Sequence, residues 1–88
     1  MTSDEALQDI RGFAGAGRVR FTRHARLRAA ERAGGTSVGE LHVVHALKHA
    51  TTCAPSDAKW KVTGPDLDGD DLTAVVVLEA DVLVVTVF

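Results

Sequence analysis

The spacing of apolar residues along this 88-residue chain changes from a helical pattern to a strand-like one. In the first half, apolar residues recur every three or four positions, which is the spacing of a helix with one buried face. From residue 59 onwards, short valine-rich segments alternate with polar turns, a pattern typical of strands. We therefore predict an α+β domain of order α-β-α-α-β-β-β, with helices packed on a mostly antiparallel four-stranded sheet.

Capping residues, glycines and proline predict where these elements begin and end. Thr22 is placed to cap an arginine-rich helix, and the segment from Ser37 to Glu40 has the form of a capping box. The predicted elements are a helix over residues 3–13, a strand over 18–21, helices over 23–33 and 38–49, a loop over 51–58, strands over 59–63, 72–79 and 82–88, and a polar turn over 66–71.

The composition limits the class of protein. Hydrophobic residues make up 45% of the chain and charged residues 25%, which is typical of one globular domain. The apolar runs, such as residues 82–85, are far too short to cross a bilayer, so no membrane partner is predicted. The first residues are acidic, and Cys53, as the single cysteine, has no internal disulfide partner. These features predict a cytoplasmic protein.

Charge is distributed unevenly along the chain. The formal net charge is −2, but residues 1–50 carry +3 and residues 51–88 carry −5. Six arginines and one glutamate lie between Arg18 and Arg32. Such a segment can present a basic face to a polyanion such as RNA. The alternative is that these arginines form an ordinary solvated helix face.

Three side chains on the arginine-rich helix form the leading candidate site. His24, Arg28 and Glu31 are spaced i, i+4 and i+7, so they share one helix face. Metal-independent RNA cleavage needs an acid, a base and a cation at the phosphate, and these residue types can supply them. The alternative is an Arg–Glu ion pair and a hydrogen-bonded histidine that brace the helix on the sheet.

A second candidate is a histidine stripe on the next helix. His42, His45 and His49 lie within about 60° of one another on a helical wheel, with Cys53 about one turn further on. Such residues can bind zinc, but histidines that are solvated or face a partner protein have the same spacing. We predict no metal or other cofactor for the protein.

The chain resembles the small bacterial family known as domain of unknown function 4258. The resemblance covers roughly residues 18–88 and treats residues 1–17 as an additional N-terminal helix of a single domain. It rests on the segment Phe21-Thr22-x-His24-Ala25-x-x-Arg28-x-x-Glu31-Arg32, the predicted helix between Ser37 and Leu47, and the segments Trp60-Lys61-Val62-Thr63-Gly64 and Val84-Val85-Thr86-Val87-Phe88.

This resemblance implies a fold similar to RelE-type toxins, within a group of metal-independent ribonucleases that often belong to toxin–antitoxin pairs. The expected partners are RNA and a protein antitoxin. The residues to which it assigns catalytic roles are His24, Arg28, Glu31, Arg32 and Thr86. The residues that would contact RNA are Arg20, Arg23 and Lys61. The alternative function is a non-catalytic module that binds protein or RNA through the arginine-rich helix.

Overall fold

A computed structural model describes residues 1–35 and 38–88. Its elements are α1 (Ser3–Gly15), β1 (Val19–Phe21), α2 (Arg23–Arg32), α3 (Gly39–Lys48), β2 (Thr52–Ser56), β3 (Lys59–Pro65), β4 (Asp71–Leu78) and β5 (Val82–Val87). The predicted α+β class is confirmed. No helix in the described ranges is long and apolar enough to cross a membrane.

The sheet within the described residues has five strands, in the order β1-β5-β4-β3-β2. β1 runs parallel to β5, whereas the other three strand pairs are antiparallel. The prediction of four strands is therefore wrong, because residues 52–56 form an edge strand where a loop was expected. Pro55 indicated a loop, but a proline is tolerated in an edge strand.

Side-chain caps begin the first two helices. The Thr2 hydroxyl accepts a hydrogen bond from the Glu5 backbone N–H, and the Glu5 carboxylate accepts one from the Thr2 N–H. The Thr22 hydroxyl accepts from the Ala25 N–H at 3.0 Å, so its predicted capping role is confirmed. Ser37, the first residue of the capping box predicted for α3, lies outside the described residues, and the structure begins α3 at Gly39.

The helices pack against one face of the sheet. Alternate residues of β3, β4 and β5 are buried there, because neighbouring side chains of a strand point to opposite faces. The buried core comprises Ile10, Ala14, Ala25, Ala29, Val43, Ala46, Leu47, Ala50, Val62, Leu72, Ala74, Val76, Val82, Val84 and Val87. Residues on the other face, which we call the open face, are half-buried or exposed.

Two glycines permit close backbone contacts, one between α2 and α3 and one between α3 and β3. A Cβ atom added at Gly39 would overlap the backbone carbonyl of Ala29, which brings α3 directly against α2. A Cβ atom at Gly64 would overlap the carbonyl of Ala46, which brings β3 directly against α3. Larger residues at either position would force these elements apart.

The acidic segment between β3 and β4 is a tight turn, as predicted. The Asp66 N–H donates to the Asp70 carbonyl at 2.8 Å, and the Gly69 N–H donates to the Asp66 carbonyl at 3.1 Å. Gly69 has φ +85°, a conformation that glycine adopts at little cost.

Candidate active site

The start of α2 takes the place of a strand beside β5. β1 pairs with β5 only as far as Val84, and the chain then turns into the helix. The Thr22 N–H donates to the Val84 carbonyl and the Thr22 hydroxyl donates to the Val85 carbonyl, both at 3.0 Å. Thr22 therefore both caps α2 and holds its first turn against the edge of β5.

A bulge in β5 lies at this same place. Val75 pairs with Thr86, whereas the next residue of β4, Val76, pairs with Val84, so that Val85 is an extra residue. Such bulges change the direction of side chains and are common beside functional sites. Here the bulge leaves Thr86 paired with an open-face residue of β4 while Val84 stays in the core.

His24 and Thr86 meet at this edge of the sheet. His24 Nε2 lies 3.0 Å from Thr86 Oγ1, although the two residues are 62 positions apart in the chain. His24 is exposed and Thr86 is half-buried. Within the described residues, the other ring nitrogen of His24, Nδ1, has no hydrogen-bond partner. The histidine is therefore held at one nitrogen and accessible at the other.

Arg28 lies one turn further along α2 and contacts the end of β5. Its Nε donates to the Val87 carbonyl at 3.1 Å, and its Nη1 lies 3.8 Å from Glu31 Oε2. Both side chains remain exposed, and Nη2 of Arg28 has no partner in the described part of the chain. The guanidinium is thus oriented by a backbone carbonyl and a distant carboxylate and keeps an N–H group for an anion.

Arg32 has a different environment. Its Nη2 donates to Asp66 Oδ2 at 3.3 Å and to the Asp71 carbonyl at 2.7 Å, both in the turn between β3 and β4. Asp66 is the one buried charged residue among those described, and its Oδ1 accepts from the N–H groups of Asp68 and Asp70. Arg32 therefore fastens α2 to this turn.

The pKa of Asp66 reflects these contacts. Burial of the carboxylate raises the pKa, but the backbone N–H groups of Asp70 and Asp68 and the Arg32 guanidinium lower it below the ordinary value. Asp66 is therefore the ionised centre of a small polar cluster beside a cavity of about 250 Å³.

The three residues predicted to contact RNA have unlike surroundings. Arg20 binds Asp81 through Nε and Nη2, and the contact raises the pKa of Arg20 and lowers that of Asp81. Arg23 is exposed and has no charged partner within the described ranges. Lys61 lies on the open face, in the cross-strand row of Val75 and Thr86. Lys61 and Arg23 are thus available to an anion, whereas Arg20 is already neutralised.

Carboxylates also reduce the basic charge predicted for α2. Arg26 Nε lies 3.2 Å from Glu40 Oε1 on α3, in addition to the pairing of Arg32 with Asp66. The basic character of the helix is therefore greatest at Arg23 and at Arg28, whose carboxylate partner Glu31 lies at 3.8 Å, and both arginines are close to His24 in the sequence.

The histidines of α3 face different groups. His42 Nδ1 accepts from the Leu67 N–H at 3.2 Å, and His45 Nδ1 donates to the Pro65 carbonyl at 3.0 Å. The His49 ring stacks at a tilt on that of His45, at 4.6 Å between centroids. Two of the three histidines are thus used in packing α3 against the end of β3 and its turn.

In the part of the chain that the structure describes, Cys53 and one mixed cluster also offer possible metal ligands. Cys53 faces the helices from β2, and burial raises the pKa of its thiol. Ligand atoms of His42, Asp66 and Asp68 lie within 4.8 Å of one another. However, Asp66 and His42 already accept the hydrogen bonds that shape the turn, so this cluster has an evident structural role.

Three residues have contacts or positions that the sequence pattern did not indicate. Thr22 was expected only to cap a helix, yet it also binds β5. Asp66 was assigned only to a turn, and no sequence signal indicated its contact with Arg32. Phe88 is exposed on the open face because of the bulge at Val85, whereas simple alternation from the buried Val82 would have placed it in the core.

Comparison of the sequence with protein-family models finds no match, and comparison with curated proteins finds none either. An anchored imidazole, an adjacent guanidinium and an open surface with a lysine form an arrangement that can bind a phosphodiester and move a proton.

Proposed function

We propose that this protein is a metal-independent endoribonuclease that cleaves RNA by attack of a ribose 2′-hydroxyl on the adjacent phosphorus. The observation that carries the proposal is the contact between His24 Nε2 and Thr86 Oγ1 at 3.0 Å. It fixes an exposed imidazole beside a guanidinium at the edge of the open face. An imidazole exchanges protons near neutral pH, and an arginine stabilises negative charge at phosphorus.

His24 acts as the general base in this mechanism. With a proton on Nε2, the neutral imidazole donates to Thr86 Oγ1, and the lone pair of Nδ1 accepts the proton of the 2′-hydroxyl. The bond from the 2′-oxygen to phosphorus forms while the bond from phosphorus to the 5′-oxygen breaks. The 5′-oxygen takes a proton from water, which gives a 2′,3′-cyclic phosphate and a 5′-hydroxyl, and the remaining hydroxide takes the proton from His24 and restores the neutral imidazole.

Arg28 stabilises the charge that develops on the phosphoryl oxygens. Its Nε is held by the Val87 carbonyl, so the guanidinium is oriented before the substrate arrives. Glu31 lies 3.8 Å from its Nη1, which supports a role in orienting Arg28. Arg32 maintains the position of α2 through its contact with Asp66 and reaches no phosphate in this proposal.

The resemblance described above supports a RelE-like fold and a biological role as the toxin of a toxin–antitoxin pair. A toxin of this kind acts on RNA in the cytoplasm, in agreement with the prediction from the cysteine content and the acidic N-terminus. Its antitoxin would be a protein that covers His24 and Arg28, because these side chains are exposed in the isolated chain.

The test is cleavage of a mixed-sequence RNA by the purified protein in EDTA, with identification of the product ends. We expect 2′,3′-cyclic phosphate ends from the parent protein. His24→Ala should lower the rate by about 10²- to 10⁴-fold, which is the usual contribution of a general acid or base. The melting temperature of the variant should stay close to that of the parent, because His24 is exposed.

The matched control is His49→Ala, which removes an exposed histidine at the C-terminal cap of α3. This variant should cleave RNA at the parent rate. The proposal is wrong if the parent leaves free RNA and ribosome-bound mRNA intact, or if His24→Ala cleaves as fast as the control. Salt-sensitive RNA binding without cleavage would instead support the non-catalytic module.

A further inference from the structure

Among the phenylalanines and the tryptophan of the described residues, Phe88 alone is left exposed by the fold. The chain has three phenylalanines, one tryptophan and no tyrosine. Phe13, Phe21 and Trp60 all pack against the hydrophobic core. Phe88 is 59% exposed. An exposed aromatic ring has a large apolar area in water, so its position relative to the candidate site is informative.

Strand register places Phe88 on the open face, next to the His24–Thr86 pair. Its N–H donates to the Thr73 carbonyl at 2.9 Å. Thr73 is an open-face residue, because the adjacent residues of β4 are in the core. Phe88 follows Thr86 by two positions, so the two residues are about 7 Å apart along the chain.

A lysine already contacts the Phe88 ring. Lys61 Nζ lies 5.4 Å from the ring centroid, within the range of a cation–π interaction. Lys61 is exposed and belongs to the same cross-strand row as Thr86. An aromatic face and an ammonium group therefore lie together beside the group that would act on the ribose.

We propose that Phe88 and Lys61 form a subsite for one nucleotide of a single-stranded RNA, next to the phosphate that is cleaved. The base stacks on the Phe88 ring and the adjoining phosphate binds the Lys61 ammonium. This inference rests on the proposed ribonuclease function and specifies its substrate. In a duplex both faces of each base are already stacked, so the subsite selects unpaired nucleotides. Stacking accepts any base, so selectivity for base identity is weak.

The test uses a probe that the protein can bind but not cleave. A labelled single-stranded oligonucleotide with 2′-O-methyl groups lacks the attacking hydroxyl, and its affinity is measured by fluorescence anisotropy at fixed salt concentration. Phe88→Ala should weaken binding by roughly 5- to 100-fold, the usual range for one stacked base. Phe88→Trp, which keeps a stacking surface, should bind close to parent affinity.

A second probe, an abasic phosphodiester chain of the same length, separates stacking from phosphate binding. The parent and Phe88→Ala should bind this probe equally, whereas Lys61→Gln should weaken the binding of both probes. The matched control is Leu41→Ala, because Leu41 is also 59% exposed but lies on α3, on the other side of the sheet. Its affinity for both probes should equal that of the parent.

Several outcomes would overturn the subsite. The first is that the parent does not bind the 2′-O-methyl oligonucleotide. The second is that Phe88→Ala binds this oligonucleotide as tightly as the parent does. The third is that Phe88→Ala loses the same factor of affinity for the abasic chain as for the oligonucleotide. The ribonuclease proposal fails separately, through the His24→Ala cleavage assay. RNA cleavage that depends on His24 but not on Phe88 would therefore reject the subsite alone.

Discussion

The two ends of α2 use charged side chains in different ways. Near its start, His24 and Arg28 contact a hydroxyl and a backbone carbonyl of β5 and remain exposed. At its end, Arg32 is paired with the buried carboxylate of Asp66. Arg28 is held by a neutral carbonyl and has only an exposed carboxylate at 3.8 Å, so more of its charge is left for an anion than at Arg32, which donates to a buried carboxylate. The first end is therefore suited to chemistry and the second to holding the fold together.

The sharpest test of this comparison replaces Arg28 and Arg32 by alanine in two separate variants. Arg28→Ala should lower RNA cleavage by about 10²- to 10³-fold, because it removes a preorganised cation at the reacting phosphate. Its melting temperature should change little, since the side chain is exposed. Cleavage rate and thermal unfolding are measured on the same preparations.

Arg32→Ala should show the opposite behaviour. It should unfold at a lower temperature, because the Asp66 carboxylate and the Asp71 carbonyl lose their donor, while the folded fraction should keep most of its activity. Equal losses of activity in the two variants, at a temperature where both are folded, would contradict the division between the ends of α2.

The close packing of α3 against the C-terminal half of α2 is tested by Gly39→Ala. The added methyl group would overlap the Ala29 carbonyl and push α3 away from α2. We expect a loss of about 1–3 kcal/mol in the free energy of unfolding, the usual cost of overpacking. Urea denaturation of the variant and the parent measures this difference.

The control for this variant is Gly12→Ala in α1, where an added Cβ atom has open space around it. That variant should gain about 0.5–1 kcal/mol, because alanine favours the helix more than glycine does. A Gly39→Ala protein as stable as the parent would show that the ends of α2 and α3 are not in close contact.

Acid should destabilise the contact between the C-terminal end of α2 and the turn between β3 and β4, because Asp66 becomes protonated. The pKa of this carboxyl is lower in the folded chain than in the unfolded one, so its contribution to stability is complete above the unfolded pKa, about 3.9. That contribution is lost as the pH falls through the folded pKa. Asp66→Asn should therefore unfold several degrees lower than the parent at neutral pH, with the difference shrinking below about pH 4.

The comparison variant for acid unfolding is Asp57→Asn, which changes an exposed carboxyl in the turn between β2 and β3. Thermal unfolding from pH 2 to pH 7 should give nearly parallel curves for this variant and the parent. An Asp66→Asn curve that also runs parallel to the parent would show that the cluster around Arg32 contributes nothing to acid stability.

Local sequence patterns predicted most of the helices and strands but missed β2, one of the two edge strands. The three helices and the strands from Lys59 onwards follow from apolar spacing, caps and turns, which are local properties. β2 was missed because Pro55 and polar neighbours resemble a loop. That segment becomes a strand only because β3 is present to pair with it, and pairing partners are not encoded in local spacing.

Only part of the site was predictable, again because local spacing does not encode contacts between distant segments. Helical spacing correctly placed His24 and Arg28 on one face of α2. It could not distinguish Arg28 from Arg32, because their roles depend on which of them meets β5 and which meets the turn at Asp66. The contact between His24 and Thr86 depends further on the bulge at Val85, and no spacing rule predicts a bulge in a run of valines.

The smallest expected effect concerns Arg26, which lies between His24 and Arg28 in the sequence but pairs with α3 instead of β5. Arg26 Nε lies 3.2 Å from Glu40 Oε1, and both side chains are largely exposed. Exposed ion pairs of this kind contribute about 0.2–1 kcal/mol, so Arg26→Ala should lower the free energy of unfolding by about 0.5 kcal/mol. The loss should fade in 1 M salt, because the pair is screened there.

RNA cleavage by Arg26→Ala should be unaffected, since Arg26 points towards α3 and away from His24. A loss of cleavage as large as that of Arg28→Ala would mean that RNA binds the whole arginine-rich helix, which would favour the simple basic surface over the site at the edge of β5.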